Sequence, residues 1–398
     1  MPSAWATLTI TTAVQAMVSM ALLTVPVMAP ALAPVLKVPT TWIGGFIALC
    51  YLAAMASSMV SGAVVPRLGA IRISQIGLLL CAAGLLLCAL PAWPATALGA
   101  LLIGSGYGPI TPASSHLLAL TTSPQRMSLV FSIKQTGVPL GGMLAGALVP
   151  GALLLIGWQA TLVVMALVCL ACAPLAQPLR AALDADRRPG QPLALAALLR
   201  PVRMVLGQRA LAVLAACSFL FSAVQVSVAT YSVSFLHETL GLSLVAAGVA
   251  LSVAQLAGVV GRIAWGAIAD RGLGPRNTLI LVAGLMAVGS LLTAALRGSW
   301  PTALLWGVMA LIGASGIGWN GVYLAAVARQ APPGQAAVAT GGTLLFTFFG
   351  VVIGSPSFGA LASASGSYRV AFAALALPAL VAVGLLVALG PARAAARQ

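Results

Sequence analysis

Charged residues are scarce in this 398-residue sequence, since they make up 6% of the chain and only four of them are Asp or Glu. A soluble globular chain contains roughly 25% charged residues. This chain therefore cannot cover a water-exposed surface, and its mean hydropathy of +1.10 agrees. The composition indicates an integral membrane protein.

Motifs of catalytic chemistry are also missing. The sequence contains no HExxH, no GxSxG and no P-loop, and the GxGxxG at 316–321 follows no predicted strand. Its six cysteines lie in apolar stretches without the spacing of a metal site. We expect no enzyme, no cofactor and no bound metal.

Positive charge is plentiful but unevenly placed. The 19 Lys and Arg residues give a net charge of +15, which in a soluble chain would suggest a nucleic-acid partner. Here most of them fall in short breaks on the side of the termini, and only Lys37, Arg297 and Arg369 fall in breaks on the other side. Cytoplasmic loops carry such an excess of Lys and Arg. We expect a multi-pass protein of a bacterial inner (plasma) membrane with both termini cytoplasmic, in contact with lipid and not with nucleic acid.

Apolar runs of about 20 residues, long enough to cross a bilayer, recur twelve times. They cover 6–30, 41–64, 74–91, 95–119, 128–149, 158–178, 210–235, 244–268, 277–296, 301–326, 337–361 and 369–390. The polar segment 179–209 separates them into two groups of six. The predicted domains are an N-terminal bundle (1–178), a cytoplasmic central loop (179–209) and a C-terminal bundle (210–398).

The two groups repeat one another. Ala13-Val14-Gln15 recurs about 210 residues later as Ala223-Val224-Gln225. Four glycines recur at nearly the same interval: Gly106 at Gly316, Gly108 at Gly318, Gly137 at Gly350 and Gly141 at Gly354. Two parallel six-span repeats imply a solute path between them.

The loop after the eighth run, GAIADRGLGPR, resembles the signature loop of the major facilitator superfamily. The residues that carry the resemblance are Gly266, Asp270, Arg271, Gly274 and Arg276. The resemblance implies an all-α membrane fold of twelve helices in two pseudo-symmetric bundles, which moves a solute by alternating access. A chain of this kind is expected to work as a monomer.

The first-half copy of this loop, GAVVPRLGAIR, departs from the family pattern. It keeps Gly62, Arg67, Gly69 and Arg72, but Pro66 stands where the family has Asp. The run that begins at Gly137 is similar to the Gly-Pro-Gly-Gly motif of antiporters, with its proline displaced. Small residues of this kind also allow close helix packing, and we favour that interpretation.

Two cations lie inside predicted spans, where ionisable groups are costly and usually functional. Lys134 and Arg262 are each about six residues from a span end, roughly 9 Å deep. Arg262 precedes Gly266 by four residues, a spacing similar to that of the monocarboxylate and oxalate/formate branch, which implies that it binds a substrate carboxylate. The alternatives are that Arg262 snorkels or braces Asp270, and that Lys134 caps carbonyls or is deprotonated by burial.

Uncharged polar residues complete the predicted substrate site. They are Gln15, Gln225, Asn320, Tyr107, Gln255 and Tyr323. No acid lies deep in a predicted span, which disfavours proton-coupled drug antiport. We expect a small organic anion, a mono- or dicarboxylate, to be held by Arg262 and Lys134 and oriented by Gln15, Gln225 and Asn320. Efflux of apolar or cationic compounds is the alternative, and a non-transporting receptor is a weaker one.

Overall fold

A computed structural model describes residues 4–121, 127–185, 187–188, 200–332 and 336–390. Within these ranges the chain is helical and contains no strand. Lipid explains this, because it offers no hydrogen-bond partners and a helix satisfies its own backbone groups.

The first bundle contains six spans, which we number in chain order. They are span one (Ala4–Val27), span two (Ile43–Leu68), span three (Ala70–Cys88), span four (Trp93–Tyr107 with Ile110–Thr121), span five (Met127–Gln135 with the part of Gly137–Leu175 before Gly157) and span six (the part after Gly157). Three short helical segments connect or follow these spans: Ala29–Leu36, Thr40–Trp42 and Gln177–Leu183.

The second bundle repeats this plan after a short helix, Arg200–Leu206. Its members are span seven (Arg209–Ser234), span eight (Leu244–Ile268), span nine (Gly274–Ala295), span ten (Thr302–Gly316 with Asn320–Gln330), span eleven (Ala336–Ser365) and span twelve (Tyr368–Ala374 with Ala376–Leu389). Phe235–Thr239 and Ala269–Leu273 are π-helical turns at the ends of spans seven and eight. Parts of the predicted central loop, residue 186 and residues 189–199, lie outside the described residues.

Nine helical stretches within the described residues are long and apolar enough to cross a membrane. Two of them contain two crossings each, because the chain reverses where Gly157 (φ 79°) and Gly272 (φ 131°) adopt a backbone conformation that favours glycine. Span four, made of the helices Trp93–Tyr107 and Ile110–Thr121, is not among the nine. Together these account for twelve crossings, which confirms the predicted fold class.

Four spans that we predicted as continuous are broken: spans four, five, ten and twelve, the last of these at Leu375. Span four breaks at Gly108, before Pro109, and span ten breaks at Ile317 between two glycines of low helix propensity. In span five the break falls at Thr136. The carbonyl of Gln135 would normally accept the N–H of residue 139, but Pro139 has none. A helix break leaves carbonyl groups without their usual helical N–H partners.

Glycines bring the spans of each bundle close together. A Cβ on Gly141 of span five would overlap the Ala16 carbonyl of span one. Its repeat-related partner, Gly354 of span eleven, meets Ala223 of span seven in the same way. The glycine-rich run of span five is therefore a packing surface in this structure.

The two bundles meet on the side of the membrane opposite the termini. The Thr41 and Ser363 hydroxyls are 2.7 Å apart, and the Tyr231 hydroxyl lies 3.1 Å from the Thr41 carbonyl and 3.0 Å from that of Ser355. Spans five and eight cross there at Gly146 and Gly248, where a Cβ on Gly146 would lie 2.6 Å from the Gly248 oxygen. The structure is therefore closed on this side.

Candidate functional site

A central cavity lies between the two bundles. It encloses about 1100 Å³ of empty space, its opening included. Polar lining residues include Tyr107, Thr111, Gln135, Gln225, Gln255, Arg262 and Asn320. Most of the remaining wall is apolar. Arg262 is the only charged residue among the lining residues that the structure describes.

Arg262 of span eight donates hydrogen bonds to carbonyl groups at two helix breaks, one in span ten and one in span five. Its Nε donates to the Ile317 carbonyl at 3.2 Å, and its Nη1 donates to the Gln135 carbonyl. Both carbonyls terminate half-helices, where partial negative charge collects and stabilises a cation. A guanidinium has five N–H groups, so these two bonds leave donors for a ligand in the cavity.

The alternative role for Arg262, bracing Asp270, does not match the structure. The Asp270 carboxylate lies 3.4 Å from Arg329 and is mostly exposed, whereas Arg262 is 6% exposed and bonded to the two carbonyls. Arg262 also does not snorkel to the membrane surface. The helix breaks supply the acceptors that the sequence left unidentified.

Lys134 lies behind the cavity wall and is 1% exposed. Its Nζ donates to Gln15 Oε1 at 3.1 Å, to Thr111 Oγ1 at 3.2 Å and to Gln135 Oε1 at 3.4 Å. An ammonium has three N–H groups, so all three have an acceptor. Lys134 and Arg262 both contact Gln135, and of the two only Arg262 lines the cavity in this conformation.

The repeat-related glutamines occupy similar positions and bind different partners. Gln15 Oε1 accepts from Lys134 and, at 3.2 Å, from Thr111. Gln225 Oε1 accepts from Trp319 Nε1 at 2.8 Å and from Asn320 Nδ2 at 3.2 Å. Each glutamine ties the first span of its bundle to the broken fourth span. Of the two, only Gln225 reaches the cavity.

The other predicted residues divide between wall and core. Tyr107 and Gln255 line the cavity beside Gln225, Asn320 and Arg262. Tyr323 does not, because it is buried in the second bundle with its ring 5.2 Å from that of Trp319. Tyr323 lies on the face of the half-helix Asn320–Gln330 that points away from the cavity. The break in span ten sets this orientation, and the sequence analysis did not predict that break.

The sequence analysis missed Gln135 and Trp319. Gln135 contacts both cations, one through its side chain and the other through its carbonyl. A signal for it existed, because a proline four residues downstream leaves a helical carbonyl without its N–H partner. Trp319 lies in the break of span ten, and no local pattern distinguishes it from other buried aromatic residues.

The signature loops differ between the bundles. In the second, Gly274 takes φ 74°, and Arg276 donates to the Leu386 carbonyl at 2.8 Å and to that of Val387 at 3.1 Å. Arg276 thereby caps the end of span twelve, while Asp270 and Arg271 lie exposed beside it. Gly266 lies in the last turn of span eight.

In the first bundle the carboxylate comes from another part of the chain. Asp184, which follows span six, accepts from the Ile71 N–H at 2.8 Å and the Arg72 N–H at 3.1 Å and so caps span three. Gly69 makes room for it with φ 93°. Gly62 and Arg67 lie in the last turns of span two. The loop that lacks an acid at Pro66 therefore has one supplied by Asp184.

These features define a class of protein. Twelve apolar helices in two similar bundles, with a mostly apolar cavity between them, are the architecture of a membrane transporter that has a small-molecule substrate. The family model of the Major Facilitator Superfamily matches residues 8–354, and the chain belongs to that family. It is a multi-pass membrane transporter and not an enzyme.

Solved structures agree with this fold. A nucleoside transporter, NupG, aligns with a TM-score of 0.77 at 17% identity, covering 96% of this chain and 100% of its own. A peptide transporter POT in complex with sulfate gives 0.77 at 18% identity, covering 98% and 94%. A POT family transporter in complex with 5-aminolevulinic acid gives 0.77 at 13%, covering 96% of each chain. At these identities the likeness establishes the fold alone. No curated protein sequence matches the chain significantly.

Proposed function

We propose that this transporter moves a small organic anion, a mono- or dicarboxylate, and that Arg262 binds its carboxylate. The observation that carries the proposal is the charge of the cavity: the one charged residue among its described lining residues is a cation, and a second cation, Lys134, lies behind the wall. An arginine fork matches a carboxylate in bidentate geometry.

The uncompensated charge favours an anion. Burying a cation without a counter-ion is costly, and among the described residues both cations are held by neutral oxygens of amide, hydroxyl and carbonyl groups. An incoming carboxylate provides the missing negative charge. A cationic solute would meet repulsion from both residues.

The mechanism we propose is alternating access. The N-terminal bundle (1–178) and the C-terminal bundle (210–398) rock about the cavity, with 179–209 connecting them at the cytoplasmic face of a bacterial inner membrane. The signature-loop residues Gly62, Arg67, Gly69, Arg72, Gly266, Asp270, Arg271, Gly274 and Arg276 act at the bundle ends during this motion. The substrate is oriented by Gln225, Asn320, Tyr107 and Gln255. Behind the cavity wall, Gln15 and Lys134 hold these lining groups in position. The protein works as a monomer in contact with lipid, by exchange or facilitated movement.

The test is uptake of labelled carboxylates into proteoliposomes containing the wild-type protein or Arg262→Gln. We expect the substitution to reduce uptake at least about tenfold, since it removes a charge-assisted hydrogen bond of roughly 1.5–3 kcal/mol. Arg297→Gln makes the same charge change at an exposed residue and should leave uptake unchanged. Normal uptake by folded Arg262→Gln would remove this site from the mechanism.

Efflux of apolar or cationic compounds is the second candidate. The apolar wall favours it, with Leu22, Val226 and Phe348 among its residues. Thermal unfolding distinguishes the two candidates, because a ligand at about 100 times its Kd stabilises the folded state by roughly 2.7 kcal/mol. Stabilisation by apolar cations alone, unchanged in Arg262→Gln, would support efflux.

A further inference from the structure

The N–H groups of Arg262 and those of Lys134 are not equally available to a ligand. Lys134 has three N–H groups and three acceptors, and it lies behind Thr111 and Gln135. Arg262 lines the cavity and, within the described part of the chain, donates two hydrogen bonds, both to carbonyls. A solute in this cavity therefore meets one cationic donor group.

A second carboxylate on the same solute would have no cation to bind. The described lining residues away from Arg262 are uncharged. To reach Lys134, a carboxylate would have to displace the Gln15 and Thr111 oxygens from its ammonium. Burial of an ionised carboxylate without a paired cation is strongly unfavourable. The cavity thus discriminates against a second negative charge.

The remaining wall is suited to an apolar body. Tyr107 lines the same cavity as Arg262. A row of aromatic rings continues from it, with centroids 5.7 Å apart for Tyr107 and Tyr51 and 6.0 Å apart for Tyr51 and Phe348. Leu344 and Val351, one turn to either side of Phe348 on span eleven, line the same cavity. Ligand cavities of this composition bury an apolar body and orient it through a few polar groups.

From this arrangement we infer that the substrate is a monocarboxylate with an apolar or aromatic body, whose carboxylate binds Arg262 and whose body lies along Tyr107, Tyr51 and Phe348. This inference rests on the proposed function and narrows it, since it excludes dicarboxylates. Lys134 is then a positioning residue: it supplies positive potential and holds Gln135 in place without touching the substrate.

The inference is tested by isothermal titration of the detergent-purified, full-length protein with unbranched monocarboxylates of two to eight carbons, with benzoate, and with the α,ω-dicarboxylates of matching length. We expect Kd to fall about fourfold per added methylene until the cavity is filled. Each dicarboxylate should bind at least about tenfold more weakly than the monocarboxylate of the same length. The same titrations of Arg262→Gln measure any uptake by the detergent micelle and should show no specific binding.

Span eleven offers a matched pair of variants. Phe348→Ala should weaken hexanoate at least about fivefold and leave acetate within about twofold, because only the longer chain reaches the aromatic row. Phe349 lies next in sequence but is 47% exposed on the outer surface of the bundle. Phe349→Ala should leave both affinities unchanged.

Lys134→Met tests whether Lys134 holds Gln135 in position or contacts the substrate itself. It should weaken all monocarboxylates by a similar factor and preserve their ranking over dicarboxylates. Dicarboxylates that bind as tightly as monocarboxylates, or a Kd independent of chain length, would overturn the inference and leave anion transport standing. If the wild-type protein binds no carboxylate beyond the Arg262→Gln background, the proposed function fails and the inference fails with it.

Discussion

The guanidinium of Arg262 in the second bundle donates a hydrogen bond to the main-chain carbonyl of Gln135 in the first. That carbonyl lacks its usual helical partner because residue 139 is a proline. A helix break in one bundle thus provides the acceptor for a cation of the other.

The Gln135 side chain is expected to control ligand binding through charge. Gln135→Glu places a carboxylate beside the Lys134 ammonium, on a residue whose carbonyl Arg262 binds, where it mimics a bound anion. We predict a higher Tm without ligand, because two buried cations gain a counter-ion, and at least about a tenfold loss of carboxylate affinity, or ~1.4 kcal/mol. Differential scanning fluorimetry and titration measure both quantities.

Gln159→Glu is the matched control for that experiment. It makes the same charge change on an exposed part of span six. It should alter neither the ligand affinity nor the Tm by much, since exposed charges interact weakly through water. A Gln135→Glu protein that binds carboxylates as well as the wild type would show that the two cations do not act on the ligand.

The closure opposite the termini is expected to depend on Tyr231. Tyr231→Phe removes the hydroxyl that lies between the Thr41 and Ser355 carbonyls, a loss of about 1 kcal/mol per net hydrogen bond. We predict that this side opens more often. The measurement is the rate at which a membrane-impermeant maleimide labels a cysteine introduced at Ser355, since the six native cysteines are buried.

Ser365→Ala serves as the comparison in that labelling experiment. Its hydroxyl lies 2.7 Å from the Leu361 carbonyl and 3.3 Å from the Ser367 carbonyl, both in the second bundle. It should not change the labelling rate. An unchanged rate in Tyr231→Phe would mean that the tyrosine hydroxyl contributes nothing to closure.

Close packing within the first bundle is expected to make a side chain at Gly104 destabilising. Its Cβ would overlap the Cys50 carbonyl of span two. We predict that Gly104→Ala destabilises the protein by about 1–3 kcal/mol, the usual cost of overpacking. Gly307→Ala, at a helical glycine with open space around it, should be neutral or slightly stabilising, because alanine favours a helix. Equal Tm values for the two variants would contradict the packing described here.

The Asp184 cap on span three is expected to contribute more to the free energy of unfolding than the Asp270–Arg329 pair. Asp184→Ala removes hydrogen bonds to two backbone N–H groups and should cost about 1–2 kcal/mol. Asp270→Ala removes an exposed pair with Arg329, which is worth at most about 1 kcal/mol. Chemical denaturation in detergent gives both values, and a larger loss in Asp270→Ala would reverse this ranking.

The sequence by itself determined the class of this protein. Hydropathy is a local property, so the twelve spans and the depth of Arg262 could be recognised from the sequence alone. The repeat of Gln15 at Gln225 could be recognised from the constant interval between matching residues. The family resemblance followed from the loop around Asp270. These inferences depend only on the residues present and on the thickness of the membrane.

Tertiary structure decided which of those residues face the cavity. Lys134 and Arg262 have similar predicted depths, but packing surrounds the first with three oxygens and leaves the second at the cavity wall. Asp184 reaches span three from the far end of its bundle, which no sequence interval predicts. The physical reason is that a side chain's partners depend on how helices rotate and break against one another. Those choices are made by contacts between residues that are distant in the chain.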